Sequence, residues 1–149
     1  MTVSFDTNIL IYAYDLRDLK RQPPAMKLVR DVMISGNGIL PAQVMGEFLS
    51  VAHRKRFATL EIVREAIDLL YRNAIIVEAD RAARTKASAL SEHHGLQFFD
   101  ALICAVSTRA GARILLSEDM QDGRVIDGLT ILNPFNPVNA KVINAAIGV

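Results

Sequence analysis

The chain has very little of the chemistry on which disulfide-rich or zinc-binding domains depend. It contains 1 cysteine, Cys104, and no tryptophan among its 149 residues. A lone cysteine excludes an intrachain disulfide, and no pair of cysteines or histidines has the spacing of a zinc site. Cys104 lies in the apolar run from Ala101 to Val106, so we predict a small core residue in a reducing, cytoplasmic setting.

Long hydrophobic runs are also absent. No stretch approaches the roughly 20 apolar residues that a membrane-spanning helix needs. No basic leader precedes an apolar stretch at the amino end. These absences predict a soluble protein that has no membrane partner and is not exported.

Neither sign of charge dominates the composition. The chain has 17 basic and 16 acidic residues, a formal net charge of +1, so nucleic acid would have to be held by local basic patches. Apolar residues make up 51% and charged residues 22%, which is typical of a globular protein. At this length we predict a single domain spanning residues 1–149.

Short apolar runs alternate with helical patterns along the chain. Strands are predicted at 2–6, 39–40, 75–77, 113–116 and 129–132. Helices are predicted from Ile9 to Tyr14 after the caps Thr7 and Asn8, and from Pro23 to Ser35, Pro41 to Arg56, Thr59 to Ala74, Arg81 to His94 and Asp100 to Gly111, with a small terminal helix capped by Asn139. This order predicts an α/β fold: a three-layer α/β/α sandwich around a central, mostly parallel sheet of four to five strands.

Two acidic residues lie where predicted strands end. Asp6 is the last residue of the first strand, and Asp119 comes shortly after the strand that ends at Leu116. Ligands of parallel α/β folds bind at the carboxyl ends of the strands, so both acids are expected at one edge of the sheet.

Two further acids belong to predicted helices. Glu47 lies three residues after Val44 and four before Val51, so it shares their apolar face and should point toward the body of the protein or its rim. Asp100 begins a helix that is apolar nearly all round, as expected of a helix inside an α/β fold. Taken alone, Asp100 could be a helix cap, and Asp6 or Asp119 could be a turn residue.

Carboxylates that converge need a counter-charge. Two like charges about 4 Å apart repel by about 4 kcal/mol at an effective dielectric near 20, so a cluster must bind protons or a cation. Oxygen donors without a zinc-type histidine or cysteine set favour Mg²⁺ or Mn²⁺. Such an ion activates water and orients a phosphate oxygen, which predicts phosphodiester hydrolysis.

These residues together resemble a PIN domain. The motifs are Phe5-Asp6-Thr7-Asn8, the helical Glu47, Phe99-Asp100-Ala101 and Leu116-Ser117-Glu118-Asp119. Within that family the chain looks like the VapC-type toxin ribonucleases of toxin-antitoxin pairs, and the resemblance runs from about Val3 to Leu132.

The resemblance implies a metal-dependent endoribonuclease. Asp6, Asp100 and Asp119 correspond to the metal-binding acids and Glu47 to the helix-borne acid of the family. Thr7, Asn8 and Ser117 match the polar positions that support those acids. Asp122 matches an acid of many relatives, either as a ligand or as a turn residue. The products would carry 5′-phosphate and 3′-hydroxyl ends.

The resemblance also implies protein partners. It predicts a homodimer and a cognate antitoxin, whose helix lies in a groove and whose basic residue enters the acidic pocket. The groove walls would be the helices around Tyr12 to Tyr14 and Met26 to Met33, although these residues could equally be core.

Two hypotheses about RNA stay open at this stage. The basic cluster Arg54, Lys55 and Arg56, after His53, could bind RNA phosphate or be a solvated helix end with favourable dipole charges. The chain could also be a non-cleaving RNA- or protein-binding domain that keeps the acids. No phosphate-binding loop or dinucleotide fingerprint supports another nucleotide-binding function.

Overall fold

The chain forms six short strands and seven α-helices, with two helices after each of the first three strands. The computed structural model describes residues 1–149. The strands are β1 (Val3–Phe5), β2 (Ile39–Pro41), β3 (Ile75–Val77), β4 (Ile114–Leu116), β5 (Val125–Ile126) and β6 (Leu129–Leu132). The helices are α1 (Thr7–Tyr14), α2 (Gln22–Ser35), α3 (Ala42–Lys55), α4 (Leu60–Asn73), α5 (Arg81–His94), α6 (Phe98–Arg109) and α7 (Ala140–Ile147), the last preceded by a 3₁₀ turn (Pro137–Asn139).

The central sheet has the strand order β1-β4-β6-β5. Strand β4 pairs in parallel with both β1 and β6, whereas β5 runs antiparallel to β6. Strands β2 and β3 form a separate parallel pair, which a bridge between Val3 and Gly38 joins to β1. The prediction of an α/β/α fold with a mostly parallel central sheet is confirmed.

Strand β5 was not predicted from the sequence. It forms a hairpin with β6, and the two residues of the turn are Asp127 and Gly128, whose φ angles are 50° and 80°. An Asp-Gly pair with positive φ at both positions is typical of a tight β-hairpin turn. The strand is too short to show an alternating pattern, so the turn was its only signal.

The core is one cluster of 38 buried residues built around β1, β4 and α6. Every residue of α6 from Ala101 to Ser107 is buried, which confirms the prediction of a helix enclosed within the fold. Cys104 is also buried, and burial raises the pKa of its thiol to about 12. The prediction that Cys104 is a core residue is therefore confirmed.

Side chains cap several helices where the sequence predicts caps. Thr59 Oγ1 accepts a hydrogen bond from the Ile62 amide at 3.3 Å, and Asp80 Oδ1 accepts one from the Ala83 amide at 2.8 Å. These contacts satisfy backbone N–H groups that lack a partner inside the helix.

Two predicted helix starts and one predicted side-chain cap are wrong. Helix α1 begins at Thr7 and is capped by Asp6, so Thr7 and Asn8 lie in its first turn and do not cap it. Helix α6 begins at Phe98, so Asp100 lies in its first turn and does not cap it. Asn139 makes no capping hydrogen bond to α7, because its side-chain amide donates to Asp122 Oδ1 at 2.8 Å and to the Asn133 carbonyl at 3.0 Å.

No helix of the structure has both the length and the apolar character that crossing a bilayer requires.

Candidate active site

Asp6 and Asp119 lie at the same edge of the central sheet. Strands β1 and β4 are parallel neighbours with Phe5 opposite Leu116, so the residues that follow these strands are adjacent. The Asp6 amide continues the pairing by donating to the Leu116 carbonyl at 3.0 Å. Asp6 and Asp119 therefore lie at one edge of the sheet, as predicted from the sequence.

Asp6 is buried, with only 6% of its surface exposed. It caps α1, since Oδ1 accepts a hydrogen bond from the Asn8 amide at 3.1 Å. Its other oxygen, Oδ2, accepts a hydrogen bond from Ser117 Oγ, and Ser117 Oγ accepts one from the Met120 amide at 3.2 Å. Both oxygens of Asp6 are thus held by fixed donors from the two sides of the sheet edge.

Asn8 positions the carboxylate of Asp119. Its side-chain nitrogen Nδ2 donates a hydrogen bond to Asp119 Oδ2, while its backbone amide contacts Asp6. One residue in the first turn of α1 therefore contacts both strand-end acids.

Glu47, on α3, is held directly by α1 and is linked to α6 through Gln43. Thr7 Oγ1 donates to Glu47 Oε2 at 2.5 Å, and Gln43 Nε2 donates to Glu47 Oε1 at 2.5 Å. Gln43 Nε2 also reaches the Phe99 carbonyl at 3.3 Å. The prediction that Glu47 faces the body of the protein agrees with these contacts.

Asp100 joins the other acids through electrostatic coupling. Burial raises the pKa of Asp100, and the negative charges of Asp119 and Glu47 raise it further. Burial also raises the pKa of Asp6 to about 6, with a further contribution from the charge of Asp119, against the hydrogen bond from Ser117. Asp100 therefore interacts with Asp119 and Glu47, and Asp6 interacts with Asp119.

None of these four acids forms an ion pair. Every lysine or arginine that contacts a carboxylate does so elsewhere, at Asp15, Asp18, Asp31, Asp80, Glu118 or Asp127. The group is consequently a concentration of negative charge that only hydrogen-bond donors stabilise. Such a site attracts cations.

The donor set suits a hard divalent cation. No three histidine, cysteine, aspartate or glutamate side chains converge closely enough to hold a metal ion together. Asp6, Glu47, Asp100 and Asp119 nevertheless supply only oxygen ligands, and no basic side chain competes for them. Three of them are held by hydrogen bonds: Glu47 by Thr7, Asp119 by Asn8 and Asp6 by Ser117. Mg²⁺ and Mn²⁺ prefer such ligands and retain part of their water shell.

Asp122 has a different set of contacts. Its Oδ1 accepts from the Asn133 amide at 2.9 Å and from Asn139 Nδ2 at 2.8 Å, and its Oδ2 accepts from Asn136 Nδ2 at 2.8 Å. These donors lower the pKa of Asp122. Of the two roles considered for Asp122, the contacts favour the structural one, which fixes the 133–139 segment.

The basic cluster at the end of α3 makes no contact with the acids. Arg54, Lys55 and Arg56 are exposed and form no ion pair, and Arg56 adopts a left-handed conformation with φ of 49°. The structure supplies no hydrogen bond that links them to Glu47, so their role in RNA binding stays a prediction.

Two groups of contacts near the acids were not predicted. Gln43 lies four residues before Glu47, so the i,i+4 spacing on α3 was a usable signal. Arg21 contacts Glu118, the residue before Asp119, across 97 positions of sequence. No local pattern could have revealed that pair.

Comparisons with known proteins agree with this architecture. The sequence model of the PIN domain matches residues 3–124. The chain therefore belongs to the PIN domain family. The search of curated proteins found no match.

Solved structures with a similar fold include three from toxin-antitoxin systems. A toxin-antitoxin complex from Klebsiella pneumoniae aligns over 90% of this chain and 98% of its own, with 20% identity and a TM-score of 0.65. VapC20 of Mycobacterium tuberculosis, a toxin that cleaves the sarcin-ricin loop, aligns over 79% and 92%, with 18% identity and a TM-score of 0.58. VapBC2 of Rickettsia felis, bound to promoter DNA, aligns over 89% and 98%, with 16% identity and a TM-score of 0.62. At these identities the likeness establishes the fold.

Proposed function

We propose that the protein is a Mg²⁺- or Mn²⁺-dependent endoribonuclease. The observation that carries the proposal is the group of four unpaired acids, Asp6, Glu47, Asp100 and Asp119, coupled at one edge of the sheet. The similarity to VapC20, which cleaves RNA, supports the choice of substrate. RNA phosphodiester bonds would be hydrolysed to 5′-phosphate and 3′-hydroxyl ends.

The acids would hold the cation, and their neighbours would hold the acids. Asp6, Asp100, Asp119 and Glu47 are the proposed binding residues, and because no three of them converge on one point, some would bind the ion through the water molecules that it retains. Asp122 is left out because its oxygens bind the 133–139 segment. A bound divalent ion supplies an activated water and neutralises charge on the phosphate. Ser117, Asn8 and Thr7 fix the directions of Asp6, Asp119 and Glu47, so that less reorganisation is needed when RNA binds.

We also propose that the protein is the toxin of a toxin-antitoxin pair. An apolar cavity of about 280 Å³ lies between α2 and α4 and is lined by Met26, Val29, Met33, Leu69 and Leu70, among others. A cavity between two helices suits the apolar face of a partner helix. The similarity to toxin-antitoxin complexes supports such a partner. The proposal also includes a homodimer that acts on RNA in the cytoplasm, as the resemblance in the sequence implies.

RNA cleavage by matched variants tests the nuclease proposal. End-labelled RNA is incubated with wild type, Asp6→Asn and Asp127→Asn, with Mn²⁺, with Mg²⁺ or with EDTA. Asp127 is the control, because it is a carboxylate paired with Lys86 outside the site, and asparagine tolerates its positive φ. We expect metal-dependent cleavage by wild type and Asp127→Asn, and at least a hundredfold slower cleavage by Asp6→Asn.

The same experiment distinguishes the rival function. A non-cleaving RNA- or protein-binding domain would bind RNA but give no products with either metal. Cleavage that is equal in wild type and Asp6→Asn would instead reject this site. Thermal melting adds a check without RNA, because a bound ion stabilises the fold by mass action, and Mn²⁺ should raise the Tm of wild type more than that of Asp6→Asn.

A further inference from the structure

Two adjacent aromatic side chains are exposed beside the candidate active site. Phe99 is 64% exposed and Phe98 39% exposed, and their rings meet edge to face with centroids 5.4 Å apart. The other phenylalanines of the chain lie in the core or pack against it: Phe5, Phe48, Phe57 and Phe135. Helix α6 packs through residues 101–107, so its attachment to the fold does not require these two exposed rings.

The aromatic pair is fixed to the acidic group by the chain and by a hydrogen bond. Phe99 directly precedes Asp100 in the first turn of α6. The Phe99 carbonyl accepts from Gln43 Nε2, which also donates to Glu47. Phe99 is therefore covalently linked to one acid and separated from another by a single side chain.

The size and surroundings of this patch indicate what would cover it. A stable protein interface buries about 800 Å² on each partner, far more than two half-exposed rings can offer. One flat aromatic ring beside a phosphodiester-binding site suits one flat nucleobase. Base stacking on aromatic side chains is the usual way in which proteins hold unpaired RNA bases.

We propose that Phe99, supported edge-on by Phe98, stacks against an unpaired base of the RNA next to the phosphate that is cleaved. The inference rests on the proposed nuclease function and adds to it a residue, Phe99, that positions the RNA. A base inside a duplex is already stacked and paired, so it cannot reach the ring without being extruded. Stacking accepts any base, so the site selects unpaired structure more than sequence.

Steady-state cleavage of a short unstructured RNA tests this inference. Wild type is compared with Phe99→Leu, which keeps an apolar side chain but has no ring, and with Phe99→Trp, which keeps a stacking face. The control is Tyr71→Leu, which removes an exposed aromatic ring from α4, a helix that carries none of the four acids. We expect KM to rise about five- to one-hundredfold in Phe99→Leu and to change little in Phe99→Trp and Tyr71→Leu.

Three outcomes would overturn the inference. One is an unchanged KM in Phe99→Leu. The second is a loss of activity in Phe99→Leu that accompanies a change of oligomeric state in light scattering, since the ring would then belong to a protein interface. The third is equal use of the single strand and of the same RNA annealed to its complement.

Failure of the nuclease proposal is recognised separately. If wild type cleaves no RNA, the same variants are compared for binding of the single-stranded RNA by fluorescence anisotropy with Mn²⁺ present. If only Phe99→Leu binds more weakly, the inference that Phe99 stacks on RNA stands although the nuclease proposal fails. Equal binding by all variants, or no binding by any, would reject it.

Discussion

Arg21 and Glu118 form a multiply hydrogen-bonded ion pair across 97 residues of sequence. Arg21 Nη2 lies 2.8 Å from Glu118 Oε1, and Arg21 Nε lies 3.1 Å from Oε2. The guanidinium also lies over the ring of Tyr12, 5.0 Å from its centroid. Because Glu118 directly precedes Asp119, the pair ties the loop that carries a candidate metal ligand to α1 and to the start of α2.

Loss of this pair should weaken metal binding without abolishing it. In Arg21→Gln we expect the affinity for Mn²⁺ to fall by up to about fivefold, because a partly exposed ion pair contributes about 0.2–1 kcal/mol to holding the loop in place. Isothermal titration calorimetry measures the affinity directly. The matched control is Arg17→Gln, whose ion pair with Asp15 is local. Equal affinities in the two variants would show that the Glu118 contact does not position Asp119.

Much of the fold was predictable because the signals are local. Caps such as Thr59 and Asp80, and apolar runs such as those of β4 and α6, depend on residues within one or two turns of each other. The acids at strand ends were predictable for a related reason: parallel strands end at one edge, so Asp6 and Asp119 had to lie near each other.

The remaining features depend on partners that are distant in sequence. The contacts of Thr7 with Glu47, Asn8 with Asp119 and Ser117 with Asp6 span 40 to 111 residues. Only the resemblance to a family indicated them in advance. The start of α6 was predicted two residues too late, because an aspartate after two phenylalanines is typical of a helix that begins at the aspartate. The helix instead begins at Phe98, after Gln97, and no side chain caps it.

Asp122 should matter for stability more than for metal binding. In Asp122→Asn we expect the free energy of unfolding to fall by about 1 kcal/mol, because the side chain accepts three hydrogen bonds and the amide retains only one oxygen. Chemical denaturation measures this change. Mn²⁺ should raise the Tm of Asp122→Asn as much as that of wild type. If Mn²⁺ does not raise the Tm of the variant, Asp122 is a metal ligand.

Asp6 should make the metal-free protein less stable as pH rises. Its pKa is raised from 3.8 to about 6 in the folded protein, so the folded state binds the proton more tightly than the unfolded chain does. Stability from this group is complete below pH 4 and is lost as pH rises toward and through 6. The shift of about two units corresponds to at most about 3 kcal/mol.

Comparison with Asp6→Asn isolates this contribution from other titrating groups. In EDTA at pH 4, the free energy of unfolding of the variant should be equal to that of wild type or slightly lower. At pH 7 it should be higher than that of wild type by about 1–3 kcal/mol. Asparagine can still cap α1. Added Mn²⁺ should reverse the order at pH 7, since the ion stabilises only the ionised site of wild type. A difference that does not vary with pH would mean that Asp6 is not the group that titrates.

A buried pair of hydroxyls joins β1, the strand that precedes Asp6, to α6, the helix that carries Asp100. Ser107 Oγ donates to Ser4 Oγ at 3.0 Å, and both residues are fully buried. Ser107→Ala leaves Ser4 without this partner, so we expect the free energy of unfolding to fall by about 1–3 kcal/mol, and Ser4→Ala should have a similar effect. The double variant leaves neither hydroxyl unpaired and should lose less than the sum of the two single losses. Urea denaturation of the four proteins measures the coupling, and strictly additive losses would mean that the two hydroxyls do not depend on each other.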